Sequence, residues 1–165
     1  MVQLLALSLL LGTVPGERDG DQEEPVGFLL TADLGSLPRA ILELEAPITS
    51  SGSAFVALGY LLPVGALSNG RLAGPNVAAG WRVFLFGRGP WGLFVDGRLL
   101  ANLYFPVDRQ APSPIIIPGG GLTTGLNAKL WHLVVSPGIS LFYVPDPTAT
   151  ASVLPALRLA VGGWN

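Results

Sequence analysis

Short apolar segments alternate along this chain with stretches that contain glycine and proline. The apolar segments are rich in Val, Ile, Leu and aromatic residues, and none shows an amphipathic helical pattern over three turns. This arrangement is typical of many short β-strands joined by turns. The predicted strands are Val26–Leu34, Arg39–Ala46, Ser53–Leu62, Trp81–Phe86, Leu93–Val95, Leu99–Phe105, Leu130–Ser136, Ile139–Val144 and Leu157–Val161.

Strict alternation in one strand predicts which side chains face the core. In Ile41–Glu45, leucines and glutamates take turns. Because successive side chains of a strand point to opposite faces, Leu42 and Leu44 are predicted to face inward and Glu43 and Glu45 to face water.

Two tight turns and two long loops are predicted between the strands. Asp96-Gly97 tolerates the positive φ that a two-residue hairpin turn requires, and Ser136-Pro137-Gly138 predicts a second hairpin. The segments Pro63–Gly80 and Pro106–Asn127 are predicted to be long loops, which are unusual in a compact domain unless they have a function. In assembly proteins such loops reach over neighbouring subunits.

The N-terminal part of the chain differs from the rest. Met1–Leu11 is apolar and resembles the hydrophobic region of a signal peptide, but no basic residue precedes Arg18. We expect residues 1–14 to form a retained apolar arm that packs against its own domain or a neighbour. Residues 15–27, with five acidic residues, are predicted to be an exposed connector, and residues 28–165 a β-sandwich domain.

The composition indicates an unusually apolar surface. The chain is 50% hydrophobic and 12% charged, whereas a soluble domain of this size carries about 25% charged residues. No apolar run approaches the roughly 20 residues of a membrane-spanning helix, so no membrane span is predicted. Both faces of Trp81–Phe86 are largely apolar, which indicates a strand buried on two sides or at an interface. We therefore expect the outer surface to be buried against other subunits.

Arginine supplies eight of the nine basic residues. Its guanidinium group is weakly hydrated and makes forked hydrogen bonds, so arginine is preferred at buried polar contacts. A GC-rich genome explains the same bias equally well. The net charge of −2 indicates no polyanionic partner and therefore no nucleic acid.

Two segments carry a resemblance to known families. Trp81-Arg-Val-Phe-Leu-Phe-Gly87 followed by Leu93–Gly97, and Trp131–Val135 followed by Gly138–Val144, resemble the hairpin of laminin-G and concanavalin-like lectin sandwiches. Leu157–Gly163 resembles the closing strand of those domains. The low charge, the absence of Cys, the Pro/Gly loops and the apolar arm resemble the jelly-roll coat and decoration proteins of viruses. The resemblance implies an antiparallel β-sandwich; the Asp/Asn cluster of the lectins has no counterpart here.

Several candidate chemical sites are weak. The chain has no Cys and one His, His132, which excludes thiolate sites and a cage of histidines. Gly119–Gly125 lacks the Lys-Ser/Thr pair of a phosphate-binding loop. The acidic residues 19–24 do not have the spacing of an EF-hand. Glu43 and Glu45 form a carboxylate pair such as glycosidases use, but an ordinary polar strand face is the better interpretation.

The sequence therefore predicts an all-β, jelly-roll-like antiparallel sandwich with an N-terminal apolar arm. The predicted function is a non-enzymatic structural subunit of a larger assembly, a bacteriophage or other viral capsid or decoration protein located in the virion. The alternative is a carbohydrate-binding, lectin-like module with an aromatic sugar platform. The predicted partners are further copies of the chain or other virion subunits, or a glycan under the alternative. No catalytic, cofactor-binding or metal-binding residue is predicted, and the interface candidates are Leu4, Leu5, Leu7, Leu9, Leu10, Phe84, Phe86, Trp91, Ile115, Ile116 and Ile117.

Overall fold

Eight antiparallel strands form a closed barrel in the computed structural model of the chain. The structure describes residues 26–35, 38–62, 72–85, 91–106, 115–131, 133–143 and 153–164. Each strand pairs with its neighbours in sequence, and β1 also pairs with β8, so that the sheet has no free edge. The strands are β1 (Gly27–Gly35), β2 (Arg39–Thr49), β3 (Gly52–Leu61), β4 (Leu72–Phe84), β5 (Gly92–Pro106), β6 (Ile115–Leu130), β7 (Leu133–Tyr143) and β8 (Val153–Trp164).

Closure is the first correction to the sequence analysis. The all-β class is right, but the molecule is a closed barrel and not a jelly-roll sandwich. Short strands with period-two alternation fit both architectures, because both have one inner and one outer face. The difference lies in the pairing of the first strand with the last, which extends from Gly27↔Trp164 to Gly35↔Ala156. No local pattern in the sequence reports that pairing.

Both predicted hairpin turns lie inside strands. Asp96 and Gly97 belong to β5, where Gly97 lies opposite Trp81 and Leu122. Ser136–Gly138 belongs to β7 and pairs with β8. The described glycines with a positive φ are Gly74 and Gly92, so Gly97 does not have the backbone conformation of the predicted turn. Pairing on both sides of each strand outweighs the local turn propensity of these residues.

The predicted long loops are also largely strand. β4 begins at Leu72, within the predicted loop Pro63–Gly80, and β6 begins at Ile115, within the predicted loop Pro106–Asn127. The glycine-rich run Gly119–Gly125 is extended backbone in β6. A Cβ atom at Gly121 would lie 2.9 Å from Cδ1 of Phe142. The glycines therefore leave room for aromatic side chains inside the barrel.

The two ends of the barrel differ. One end, called here the turn end, contains the connections 50–51, 85–91 and 131–132, the first residue of β1 and the last residue of β8. At the other end, here the loop end, lie the connections 36–38, 62–71, 107–114 and 144–152. Three of the four connections at the loop end are long, whereas two of the three at the turn end have two residues.

The interior contains apolar side chains toward each end and charged side chains between them. The larger apolar cluster includes Leu61, Tyr104, Phe142 and Leu154, which lie toward the loop end. A smaller cluster toward the turn end contains Leu29, Val134 and Ala160, with Trp91 and Trp164 packed against it. Among the described residues no helix is long and apolar enough to cross a membrane. The predicted arm, residues 1–14, and most of the connector lie outside the described residues.

Candidate functional site

Charged side chains fill much of the interior of the barrel. Eight of them are buried, four carboxylates and four guanidinium groups, so their formal charges cancel. In the part of the chain that the structure describes, Lys129 is the one other charged side chain, and it is exposed. Because side chains alternate between the two faces of a strand, all eight point into the barrel. They are Asp33, Arg39, Glu43, Glu45, Arg82, Asp96, Arg98 and Arg158.

Arg82 on β4 contacts three carboxylates. Its Nη2 atom donates to Glu43 Oε1 at 2.7 Å and to Asp96 Oδ2 at 3.1 Å, and its Nη1 atom donates to Glu45. Ser53 also donates a hydrogen bond to Glu45. The guanidinium carbon of Arg82 lies 4.4 Å from the centre of the Phe94 ring. Because the whole group is removed from water, these contacts replace the hydration that the charges lose on burial.

Two further arginines extend the network. Arg98 donates from Nε and Nη2 to Asp96 Oδ1 at 3.0 and 2.7 Å. Arg158 Nη2 on β8 donates to Glu43 Oε2 at 2.8 Å and to the Thr31 hydroxyl at 3.3 Å. Glu43 therefore joins Arg82 to Arg158, and the network crosses the interior from β5 to β1.

Asp33 and Arg39 make no hydrogen bond to this network, although Asp33 on β1 lies opposite both Arg39 on β2 and Arg158 on β8. Both are buried, and within the described residues their side-chain polar atoms have no hydrogen-bond partner. The Arg39 guanidinium instead lies over the Phe142 ring, 4.3 Å from its centre. A cation on an aromatic face is stabilised by the ring quadrupole, and this contact holds Arg39 at the loop end of the interior.

The orientation of Glu43 and Glu45 corrects the sequence analysis. The two glutamates are 0% and 1% exposed, whereas Leu42 and Leu44 are 46% and 48% exposed. Alternation assigns residues to two faces but does not say which face points inward, and the prediction assumed water outside. Since both carboxylates are engaged by arginines, they are not free to act as an acid and base pair. The described residues contain no group of three side chains that could hold a metal ion.

The outer surface of the barrel is aliphatic. Leu99 in the middle of β5 is 77% exposed, and Leu30, Leu58, Leu122 and Leu157 are each more than 60% exposed. A shallow apolar groove crosses this surface from β2 to β5. Contiguous apolar side chains are exposed on the described strands, whereas their predicted burial against other subunits stays a prediction. Their arrangement around a closed barrel, with the charges inside, is the reverse of that in a water-soluble protein.

The predicted interface residues fall in several places. Leu4, Leu5, Leu7, Leu9, Leu10 and Phe86 lie outside the described residues, as does the candidate His132. Phe84 points into the barrel, where its ring meets that of Phe94 edge to face at 6.4 Å. Trp91 is half-buried against the smaller apolar cluster, and Ile117 packs against the larger one. Ile116 is 70% exposed on the outer surface. Ile115 begins β6.

Sequence reasoning missed the arginines and Asp96 as partners of the two glutamates. These charged residues lie in otherwise apolar strand segments. Each shares one face of its strand with the residue two positions away, as Arg82 does with Phe84 and Asp96 with Arg98. A face that carries charges of both signs on several strands, opposite a face that carries almost only apolar residues, is the pattern that could have identified them. The preference of arginine for buried polar contacts pointed the same way.

Comparison with known proteins identifies the fold. No protein-family model and no curated protein matches the chain. Among solved structures, the N-terminal β-barrel domain of Pseudomonas aeruginosa OprF superposes with a TM-score of 0.70 and 12% identity, covering 87% of this chain and 98% of that domain. Neisserial surface protein A has a TM-score of 0.63 and 14% identity, covering 88% of this chain and 99% of that one.

These likenesses overturn the predicted family and function. The similar structures are outer membrane β-barrel proteins, not viral capsid proteins or lectins. The predictions of a bacteriophage capsid or decoration protein, of a lectin-like module and of a virion location are therefore wrong. Those predictions rested on the low charge and the apolar surface, and a closed barrel with an apolar exterior has the same two features. The chain is similar in fold to these two proteins over most of its length.

Proposed function

We propose that the chain is an integral protein of a bacterial outer membrane, which it spans with the eight strands of the barrel. The observation that carries the proposal is the outer surface. It is apolar around the barrel, and within the described residues it carries no charged side chain, because Lys129 lies opposite the buried Val134 on the inner face of β6. In water such a surface would be strongly unfavourable, but hydrocarbon solvates it well.

The dimensions of the barrel support the proposal. A tilted strand of about 9–11 residues crosses the hydrocarbon layer, and β2 and β7 each have 11 residues. Aromatic side chains are exposed near the loop end at Tyr60, Phe105 and Tyr143. Transmembrane barrels carry aromatic girdles of this kind where hydrocarbon meets the headgroups.

The filled interior favours a closed barrel as the working form. Eight strands leave a lumen just wide enough for side chains. Here the charged network is closed off toward the loop end by Tyr104 and Phe142 and toward the turn end by Phe84 and Phe94. We propose that the chain presents its loop end at the membrane surface rather than conducting solutes, and that it is not an enzyme. The prediction of a homo-oligomer stays a prediction.

The unequal ends support one orientation. Outer-membrane barrels have short turns on the periplasmic side and longer loops on the extracellular side. The turn end, with its two-residue connections 50–51 and 131–132, would therefore face the periplasm, and the loop end would face the outside of the cell.

Refolding with and without lipid tests the proposal. The full chain is diluted from urea into phosphatidylcholine vesicles or into buffer alone. We expect β-rich circular dichroism, flotation with the vesicles and protection of the strands from added protease in the vesicle sample only. A folded, protease-resistant monomer in lipid-free buffer would contradict a membrane-spanning barrel.

A further inference from the structure

The connection between β6 and β7 has an unusual residue at its tip. Trp131 has a φ of 58°, and among the described residues it alone has a positive φ without being glycine. Its side chain is 92% exposed. The connection has two residues, 131–132, and lies at the turn end of the barrel.

Folding of the chain alone does not favour tryptophan at this position. Two-residue hairpin connections favour Asn-Gly or Asp-Gly because these residues accept a positive φ, which a bulky side chain resists. The exposed indole gains no packing energy within the barrel in return. The other two-residue connection at the same end is the polar pair Ser50-Ser51. Trp131 is therefore explained by a contact outside the chain.

The surroundings of Trp131 indicate what that contact is. Leu130 and Leu133 on either side are 59% and 54% exposed, so the tip continues the apolar outer surface. Lys129 precedes Leu130 but lies on the inner face of β6, opposite the buried Val134, with its Nζ atom 5.3 Å from the centre of the Trp91 ring. An indole joined to exposed leucines suits the boundary between hydrocarbon and phosphate headgroups, where tryptophan is favoured.

We propose that Leu130, Trp131 and Leu133, together called the Trp131 tip, insert into the phospholipid headgroup layer at the turn end and fix the depth of the barrel on that side. This inference rests on the proposed membrane location and adds to it a specific anchoring site. The indole would lie among the headgroups, with Leu130 and Leu133 beside it at the same depth. The Ser50-Ser51 connection, which has none of these groups, would remain in water.

Depth measurements with spin labels test the anchor separately from the barrel. The chain has no Cys, so one introduced cysteine carries the label alone. Labels are placed by Leu130→Cys beside the tip, Ser50→Cys in the polar connection and Leu99→Cys in the middle of the outer surface. In vesicles, relaxation by oxygen is compared with relaxation by a water-soluble nickel complex. We expect the Leu99 label in the acyl layer, the Leu130 label at headgroup depth and the Ser50 label in water.

Variants at Trp131 then test its role. Trp131→Asn should move the Leu130 label to the nickel accessibility of the Ser50 label, whereas Trp131→Tyr, which keeps an interfacial ring, should not. In detergent micelles Trp131→Asn should leave the urea midpoint unchanged or higher, because Asn accepts a positive φ. A lower midpoint would show that the indole stabilises the fold itself and would overturn the proposal.

The label positions separate the two possible failures. If the Leu130 label is as accessible to nickel as the Ser50 label while the Leu99 label stays in the acyl layer, the anchor is wrong and the membrane barrel stands. A Leu99 label in water would show that the proposed function itself is wrong.

Discussion

Single charged residues have opposite consequences on the two faces of this barrel. Inside, a charge lies among charges of the other sign, as Arg82 does among Glu43, Glu45 and Asp96. On the outer face the described residues carry no charge, since Lys129 lies opposite the buried Val134 on the inner face of β6. The effect of a charge-changing substitution on stability is therefore expected to depend on whether the residue faces the interior or the outer surface.

Leu99→Arg places a charge in the middle of the outer surface. If this surface meets hydrocarbon, the variant should lose about 2–4 kcal/mol of folding free energy in vesicles, the cost of an arginine near the bilayer midplane. Val26→Arg, at an exposed position just before β1, should lose about 0–1 kcal/mol because it lies near the membrane surface. Urea unfolding of both variants in vesicles measures the difference. Equal losses at the two positions would contradict a membrane at this depth.

Arg82→Met removes the arginine that pairs with Glu45, whose other hydrogen-bond donor is Ser53. Because a buried carboxylate is then left uncompensated, the variant should lose about 3–5 kcal/mol. Glu43 keeps Arg158 and Asp96 keeps Arg98, so adding Glu45→Gln should recover part of the loss. Lys129→Met, which changes an exposed charge, serves as the control with an expected effect within about 0.5 kcal/mol. The same unfolding assay applies, and a double variant no more stable than the single one would show that Glu45 is not the group left unpaired.

Strands differ in how tightly their glycines are packed. Gly97 on β5 faces outward, and an added Cβ would meet only Leu122 Cδ2, at 3.8 Å. Gly125 on β6 faces inward, and an added Cβ would lie 2.8 Å from Phe94 Cζ and 2.6 Å from the Pro137 carbonyl oxygen. The inward glycine is thus required for close approach, and the outward one is not.

Gly97→Val and Gly125→Val form a matched pair. Gly97 lies in extended backbone, where a β-branched residue is favourable, so its variant should be as stable as the parent or more so. Gly125→Val forces a clash in the filled interior and should cost about 1–3 kcal/mol. Chemical denaturation in micelles measures both. A large loss at Gly97 would instead support the hairpin turn that the sequence predicts at Asp96-Gly97.

Sequence reasoning located some strands well and others poorly. β1, β2 and β3 were predicted within a few residues, since each is a continuous apolar or alternating segment between turn residues. β5 and β7 were each split in two, because Asp96-Gly97 and Ser136–Gly138 have strong local turn preferences. Those preferences are overruled by pairing to strands on both sides. Such distant partners leave no mark in a local pattern.

The whole molecule combines a neutral interior with an apolar exterior. The alternation in Ile41–Glu45 is the same in water and in a membrane. To decide which of the two faces points inward, one would have to know which solvent surrounds the molecule. Of the interior site, the sequence analysis named only Glu43 and Glu45 as individual residues. The arginines that engage them come from β4 and β8, far along the chain.

Bilayer recordings test the closed state of the whole barrel. With the interior filled by the charged network and closed toward both ends by aromatic rings, the reconstituted protein should give conductance no higher than detergent without protein. Insertion is verified in parallel by flotation of the same vesicles. Steady channel openings from inserted protein would show that the interior described above is not the resting state in a membrane.

Closure of β1 on β8 also has a consequence for how the chain folds. Arg158 reaches Thr31 across 127 residues and Glu43 across 115 residues of sequence, so these contacts cannot form until the last strand has been made. Before that point β1 has an unpaired edge, and if the barrel belongs in a membrane, its apolar outer side chains are still in water. Late, long-range pairing is slow and leaves intermediates prone to aggregate. The nascent chain would therefore depend on being kept unfolded in transit, and its delivery to the membrane, rather than its final stability, would limit how much of it matures.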